Sequence, residues 1–291
     1  MSENPLKVVQ VQKGMPHRSH STHQGSDSSD NRDIEARAYF ERQWLLNPEQ
    51  FDPNQSAIDL ERISRTWKRI KPLLEEPELV TADIGFGWGA LTTKIRGRGA
   101  QVDAVDIAEN AIKRFQANES CDAKCIRDTL PRSSLADDAY NIVVCTDLIA
   151  ELDPRDHRLM ISELYRILKP EGHLVCSTPL DYRTDGALER FAALVETEFE
   201  VIEWDVSHHA YQQRLLNVLG KFSFLSGLHN FVRASRPITL FLESICRALS
   251  PDTGVTHAIC VAKLKSLNTT QSVDVETMDP QNQRLRRRVW E

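Results

Sequence analysis

The sequence predicts an α/β fold: a Rossmann-like, doubly wound sheet with helices on both faces. Two observations carry the prediction. Short β-branched runs such as "LVTADIG" (79–85) and "YNIVVCTDL" (140–148) alternate with amphipathic helical stretches, as in a parallel sheet covered on both sides. A glycine loop, "GFGWGA" (85–90), follows the first run directly, where such sheets turn from strand into helix and bind ligands.

The elements follow in order. Residues 1–33 include "HRSHSTHQGSDSSDN" and are too poor in large apolar side chains to fold, so they predict a disordered tail. There His17, His20 and His23 read as solvated rather than metal-binding. Residues 34–78 predict a helical cap. Tyr39, Phe40, Trp44 and Leu45 lie near one another on its first helix, and Ile58, Ile63, Trp67 and Ile70 on a second from about 56 to 74, where Pro72 suggests an early stop. Residues 79–266 predict the main domain, with strands at "LVTADIG", "AQVDAVDI", "AKCIRD", "YNIVVCTDL", "HLVCSTP", "FEVIEWDV" and "THAICVAKLK", seven in all. Helices fill the intervals; one of them, "RDHRLMISELYRIL", stops at "KPEG". Within the domain, 206–254 is an apolar, helix-like insertion broken at Gly220, Gly227 and Pro237. Residues 267–291 are polar, end in "RLRRRVWE" and predict a loose tail.

The bulk properties exclude several classes. With 41% hydrophobic and 27% charged residues the chain is of globular type, and its net charge of −6 gives no general reason to bind nucleic acid. No apolar run approaches the ~20 residues of a membrane-spanning helix and no signal-peptide core is visible, which makes the cytoplasm the default location. Cys145, Cys176 and Cys260 fall inside apolar strands as small hydrophobes. Only Cys121 and Cys125 resemble a metal pair, and without a second pair they predict no metal site.

The glycine loop satisfies a dinucleotide fingerprint at Gly85, Gly87 and Ala90, with Asp106 about twenty residues on to accept from a ribose. Those features alone fit a nicotinamide enzyme as well as any other ribose binder. Asp83 shifts the balance. A carboxylate just before the loop would repel a pyrophosphate, whereas it would attract the ammonium and sulfonium of S-adenosylmethionine, which carries no phosphate.

Four segments in order, "DIGFGWG", "VDAVDI", "RDTLPRSSLADDAYNIVVCTDLIAEL" and "ELYRILKPEGHLVCSTP", resemble the successive motifs of class I S-adenosylmethionine-dependent methyltransferases, over roughly 79–179. The small-molecule group that includes quinone-biosynthesis methyltransferases is the most similar. The resemblance implies a last strand antiparallel to the rest and S-adenosylmethionine as cofactor. It implies that Asp83, Gly85, Gly87 and Gly89 border the methionine and sugar, that Asp106 takes the ribose hydroxyls, and that Ile107 lies against the adenine. It further implies Asp128, Thr129 and Leu130 at the adenine edge and Asp147 near the methionine end or the acceptor. For Asp128 the competing reading is a turn residue, and for Asp147 a solvated strand end.

The acceptor side is less determined. Relatives carry a histidine where "DLIAEL" places Glu151, so Glu151 is a candidate acid or base, with His208 and His209 as alternatives and Tyr211 beyond them. The insertion concentrates Leu215, Leu216, Leu219, Phe222, Phe224, Leu225, Leu228, Phe231 and Val232 alongside Arg214, Lys221, Arg233 and Arg236. It reads as a hinged lid over a small, apolar or lipid-like acceptor, with peripheral membrane contact through 210–249 as a further use. A binding protein that has lost catalysis, and an NAD-dependent oxidoreductase, are the competing functions.

Overall fold

A computed structural model describes residues 29–265 apart from 77 and 119–121. The predicted tails therefore lie largely outside the described residues, as do His17, His20, His23 and Cys121. One boundary is corrected: the first helix, α1, runs Ser29–Leu46, so the last five residues assigned to the N-terminal tail are helical.

The chain then builds α2 (Ala57–Ile70), β1 (Val80–Ile84), α3 (Ala90–Arg96), β2 (Gln101–Asp106), α4 (Glu109–Asn118), β3 (Lys124–Arg127) and β4 (Tyr140–Thr146). It continues through α5 (His157–Ile167), β5 (Leu168–Pro179), α6 (Ala187–Val195) and β6 (Phe199–Ser207). The insertion supplies α7 (Ala210–Leu219), α8 (Ser226–Ala234) and α9 (Arg236–Leu249) before β7 (His257–Leu264). Ser56 begins α2 by accepting from the amide of Asp59, and Pro72 ends its regular turns by opening a 3-10 segment, Lys71–Leu74.

The seven strands are ordered β3-β2-β1-β4-β5-β7-β6. β1 to β5 pair in parallel, and β7 runs antiparallel to both β5 and β6, so "FEVIEWDV" and "THAICVAKLK" are neighbours across the helical insertion. β5 begins earlier than "HLVCSTP" predicts. Leu168 already pairs with Tyr140, and "KPEG" is taken up by a register shift before His173 meets Ile142.

Alternation along the strands divides the core. Val143, Cys145, Leu174 and Cys176 face α5 and α6 through Met160, Ile161, Leu164 and Phe191. Ile142, Val144, Val175 and Ile259 face the opposite way, against Ile70, Leu74, Leu91 and Ile95. Cys145, Cys176 and Cys260 occupy one cross-strand row, each fully buried, and mutual contact and burial push the Cys176 thiol well up. They are inert packing groups.

Candidate active site

The carboxyl ends of β1, β2 and β4 meet at the glycine loop. Gly85, Gly87 and Gly89 all have positive φ. At Gly89 (φ +82°) a Cβ would fall 2.3 Å from the Phe115 ring, so the bare backbone lets α4 pack against the start of α3. Asp106 fixes the loop from the side: its Oδ2 accepts from the amide of Gly87 at 3.2 Å and its Oδ1 from that of Ala108 at 2.9 Å. Asp83 is buried behind the loop, where the Thr92 hydroxyl donates to it at 2.6 Å. Burial pushes both carboxyls up to about 6. Among the described residues no Lys or Arg pairs with either.

The neighbouring side is apolar and covered by α1. Ile107, Phe51 and Trp88 pack against the buried cluster of Trp44, Ala108 and Ala111; Trp44 stacks on Phe51 at 4.3 Å. Glu41 of α1 accepts from the amides of Glu109 and Asn110 at the start of α4, an anion on a helix N-terminus. Arg37 donates to the hydroxyl of Thr129 at 2.9 Å, and Leu130 is half-buried against the sheet. Asp128 acts as a clamp within its own loop: Oδ1 accepts from the Thr129 amide and Oδ2 from the amide and hydroxyl of Ser134. The turn reading of Asp128 thus has direct structural content.

Asp147, just past β4, adopts φ +62°, a left-handed conformation that aspartate tolerates better than most side chains. Its Oδ1 meets His257 Nε2 at 2.7 Å and accepts from the Ser177 hydroxyl at 3.0 Å, while Oδ2 pairs with Arg62 of α2. It is therefore no solvated strand end. Arg65, one turn on, joins Asp205 of β6 at 3.0 Å and Glu243 of α9 at 2.7 Å, which ties the cap to the insertion.

Sequence reasoning missed His257, Arg62 and Arg65. The available signals were an imidazole opening an apolar strand and a basic stripe, Arg62-Arg65-Arg69, on an otherwise core-packing helix.

The predicted acid–base candidates are brought to this region unequally. His209 is buried, with both ring nitrogens lacking a hydrogen-bond partner among the described residues, and burial pushes it down to about 4. His257, also buried, lies well below the usual imidazole range because of burial and then the Arg62 charge, and its Nδ1 is unpartnered. His208 instead directs Nε2 to the Pro251 carbonyl at 2.9 Å, and Tyr211 bonds to Ser250 at 2.8 Å, both toward the loop that precedes β7. Glu151 sits in a short 3-10 turn after β4, where its charge, secondary to burial, raises the Tyr39 phenol. A cleft of about 440 Å³ bordered by Arg65, Leu240, Glu243 and Arg247 lies along α9 rather than at the glycine loop.

Residues 82–172 match the family described as a methyltransferase domain. The chain is 33% identical over 102 residues to a ubiquinone biosynthesis O-methyltransferase of Idiomarina loihiensis, covering 33% of this chain and 40% of that protein. It is 32% identical over 111 residues to a carboxy-S-adenosyl-L-methionine synthase of Shewanella loihica, covering 35% and 45%. The chain thus spans less than half the length of either relative. The N-methyltransferase NodS of Bradyrhizobium japonicum, solved with S-adenosyl-L-homocysteine, shares the fold with a TM-score of 0.53 at 15% identity, over 79% of this chain and 99% of that one. Residues 82–172 thus match a methyltransferase domain, and they lie within a seven-stranded sheet of order 3-2-1-4-5-7-6.

Proposed function

We propose that the protein transfers the methyl group of S-adenosylmethionine to a small-molecule acceptor. The observation that carries this reading is the pair of buried carboxylates, Asp83 and Asp106, beside the glycine loop with no cation paired to them. A buried, uncompensated anion is costly, and a ligand with a positive sulfonium and ammonium offsets that cost. A pyrophosphate would add to it, which argues against the nicotinamide reading. Asp106 keeps lone pairs for ribose hydroxyls beyond its two amide bonds, and Ile107 offers an apolar face beside it. The residues present therefore fit the cofactor.

That cofactor supplies an already activated methyl, so the protein's work is alignment and proton management. For a hydroxyl acceptor, His257 is the favoured base. Nε2–H donates to Asp147, an arrangement that leaves Nδ1 with its lone pair, and Arg62 pairs with the other carboxylate oxygen of Asp147. His209 supplies further unpartnered nitrogens in the same region. Glu151, on the α1 side, is the second candidate. In this scheme α1, α2 and the insertion enclose the acceptor.

Incubation of the full chain with methyl-labelled S-adenosylmethionine and a small-molecule extract tests the reading. Labelled product and S-adenosylhomocysteine are the expected result. Tight cofactor binding without turnover in any extract would instead indicate a regulatory binding protein. His257→Gln should lower kcat and remove the acidic limb of its pH profile at unchanged cofactor affinity; an unaltered kcat rules out the base role.

A further inference from the structure

The insertion carries apolar side chains that its own packing does not use. Of the ten large apolar residues from Leu215 to Val232, only Leu219 and Val232 are buried. Phe224 is 80% exposed and Phe231 62%, with Phe222, Leu228 and Val218 about half exposed. Their spacing organises them. Phe224, Leu228 and Phe231 follow i, i+4, i+7 along α8 and the turn before it, and Val218 and Phe222 are four apart at the end of α7. The Phe222 and Phe224 rings are 5.7 Å apart, which joins the two sets.

The charge around them is one-sided. In a chain where Asp and Glu outnumber Lys and Arg 42 to 36, the 37 residues from Val206 to Leu242 contain Arg214, Lys221, Arg233 and Arg236 and no carboxylate. Arg236 pairs with Glu61 and Arg233 bonds to Gln55, so both are directed back at the cap. Arg214 and Lys221 are exposed, and Arg214 lies over the Tyr182 ring at 4.9 Å.

We infer that this face, from the end of α7 through α8, binds the surface of an anionic lipid bilayer, with the phenylalanines in the headgroup–acyl boundary and Arg214 and Lys221 on the lipid charges. Exposed aromatics flanked by cations and free of acids are what that interface selects. A second copy of the chain fits less well. A two-fold contact would set the same cations against each other with no carboxylate of the 206–242 segment to pair them. No helix of the described residues is long and apolar enough to cross a membrane, so the contact is peripheral. The inference stands independently of methyl transfer.

The test is co-sedimentation of the full chain with vesicles of phosphatidylcholine, alone or with about one-third phosphatidylglycerol. Binding to the anionic vesicles, weakened by salt, is expected, with little to the neutral ones. Arg214→Gln with Lys221→Gln should weaken it about 25-fold, from ~1 kcal/mol or about fivefold per charge. Phe224→Ser with Phe231→Ser should lower it at least tenfold while leaving the thermal melt unchanged. Equal partitioning of wild type and variants, or no pelleting with anionic vesicles, overturns the inference. So does a concentration-dependent dimer in light scattering that the phenylalanine variant dissolves.

Discussion

Asp106→Asn separates the two costs that Asp106 carries, one in the empty protein and one in the complex. Burial raises its carboxyl from an ordinary 3.8 to about 6. The folded chain therefore holds a proton that the unfolded chain releases between those values, and stability falls as pH rises through that window. At about 1.4 kcal/mol per pKa unit, ionised Asp106 costs roughly 3 kcal/mol at neutral pH. Asparagine removes that cost but turns a donor toward one of two amides, from Gly87 or Ala108, that now donate to the carboxylate. The lost bond and the orphaned donor cost about 1–3 kcal/mol. The two nearly cancel at pH 7. Relative to wild type, the variant should therefore gain roughly 3 kcal/mol between pH 4 and pH 7. Cofactor affinity should move the other way. Hydrogen bonds to a charged acceptor contribute about 1.5–3 kcal/mol each, so the dissociation constant for S-adenosylhomocysteine should rise at least about tenfold at pH 7. Wild-type affinity should itself fall about tenfold at pH 5, one unit below the shifted carboxyl. Calorimetric titration and urea unfolding across pH provide both measurements. Unchanged affinity in the variant, or a stability difference flat from pH 4 to 7, refutes the reasoning.

Gly89→Ala forces a left-handed alanine and a Cβ into the Phe115 ring. Strain and overpacking together should cost roughly 2–4 kcal/mol in urea unfolding, with cofactor binding lost as the loop shifts. His209 is held down to about 4 by burial, so the unfolded chain binds the extra proton below 6.5 and wild-type stability falls as pH drops toward 4. His209→Gln should erase about 3 kcal/mol of that loss, visible as pH-dependent melting of the two proteins side by side. Glu151→Gln should slow turnover at nearly constant cofactor affinity and lower the Tyr39 titration seen by ultraviolet difference spectroscopy, because the neighbouring charge disappears; a full kcat assigns the proton transfer elsewhere.

The parts of this molecule that were legible in the sequence are those whose causes are local. A strand buried on both faces must be apolar throughout, and a loop of positive-φ residues must be glycine, so β1, its loop and α3 announce themselves within fifteen residues. Asp106 was legible for the same reason, since it closes the next strand and holds the same loop. The acceptor side has causes spread across the whole chain. His257 meets Asp147 across 110 positions, and Arg65 reaches Glu243 across 178, because the carboxyl edges of β4, β5 and β6 converge only after β7 inserts between the last two. No periodicity encodes such a meeting, and histidine at the head of an apolar strand looks like ordinary core until the antiparallel pairing turns that head toward the carboxyl ends of β4 and β5. Pattern reading left the apolar face of the insertion between a lid and a membrane contact, for a different reason. Apolar spacing shows that residues share a side but not whether that side faces inward, and α8 follows the same rule as α5 while presenting Phe224 and Phe231 to the outside. The charge record resolves the ambiguity. A stripe that faced the sheet would have no use for a surrounding free of carboxylates, whereas one that meets an anionic surface is weakened by every acid placed beside it. The absence of Asp and Glu from Val206 to Leu242 is thus a sequence-level trace of the outward orientation, readable once the helices are in place.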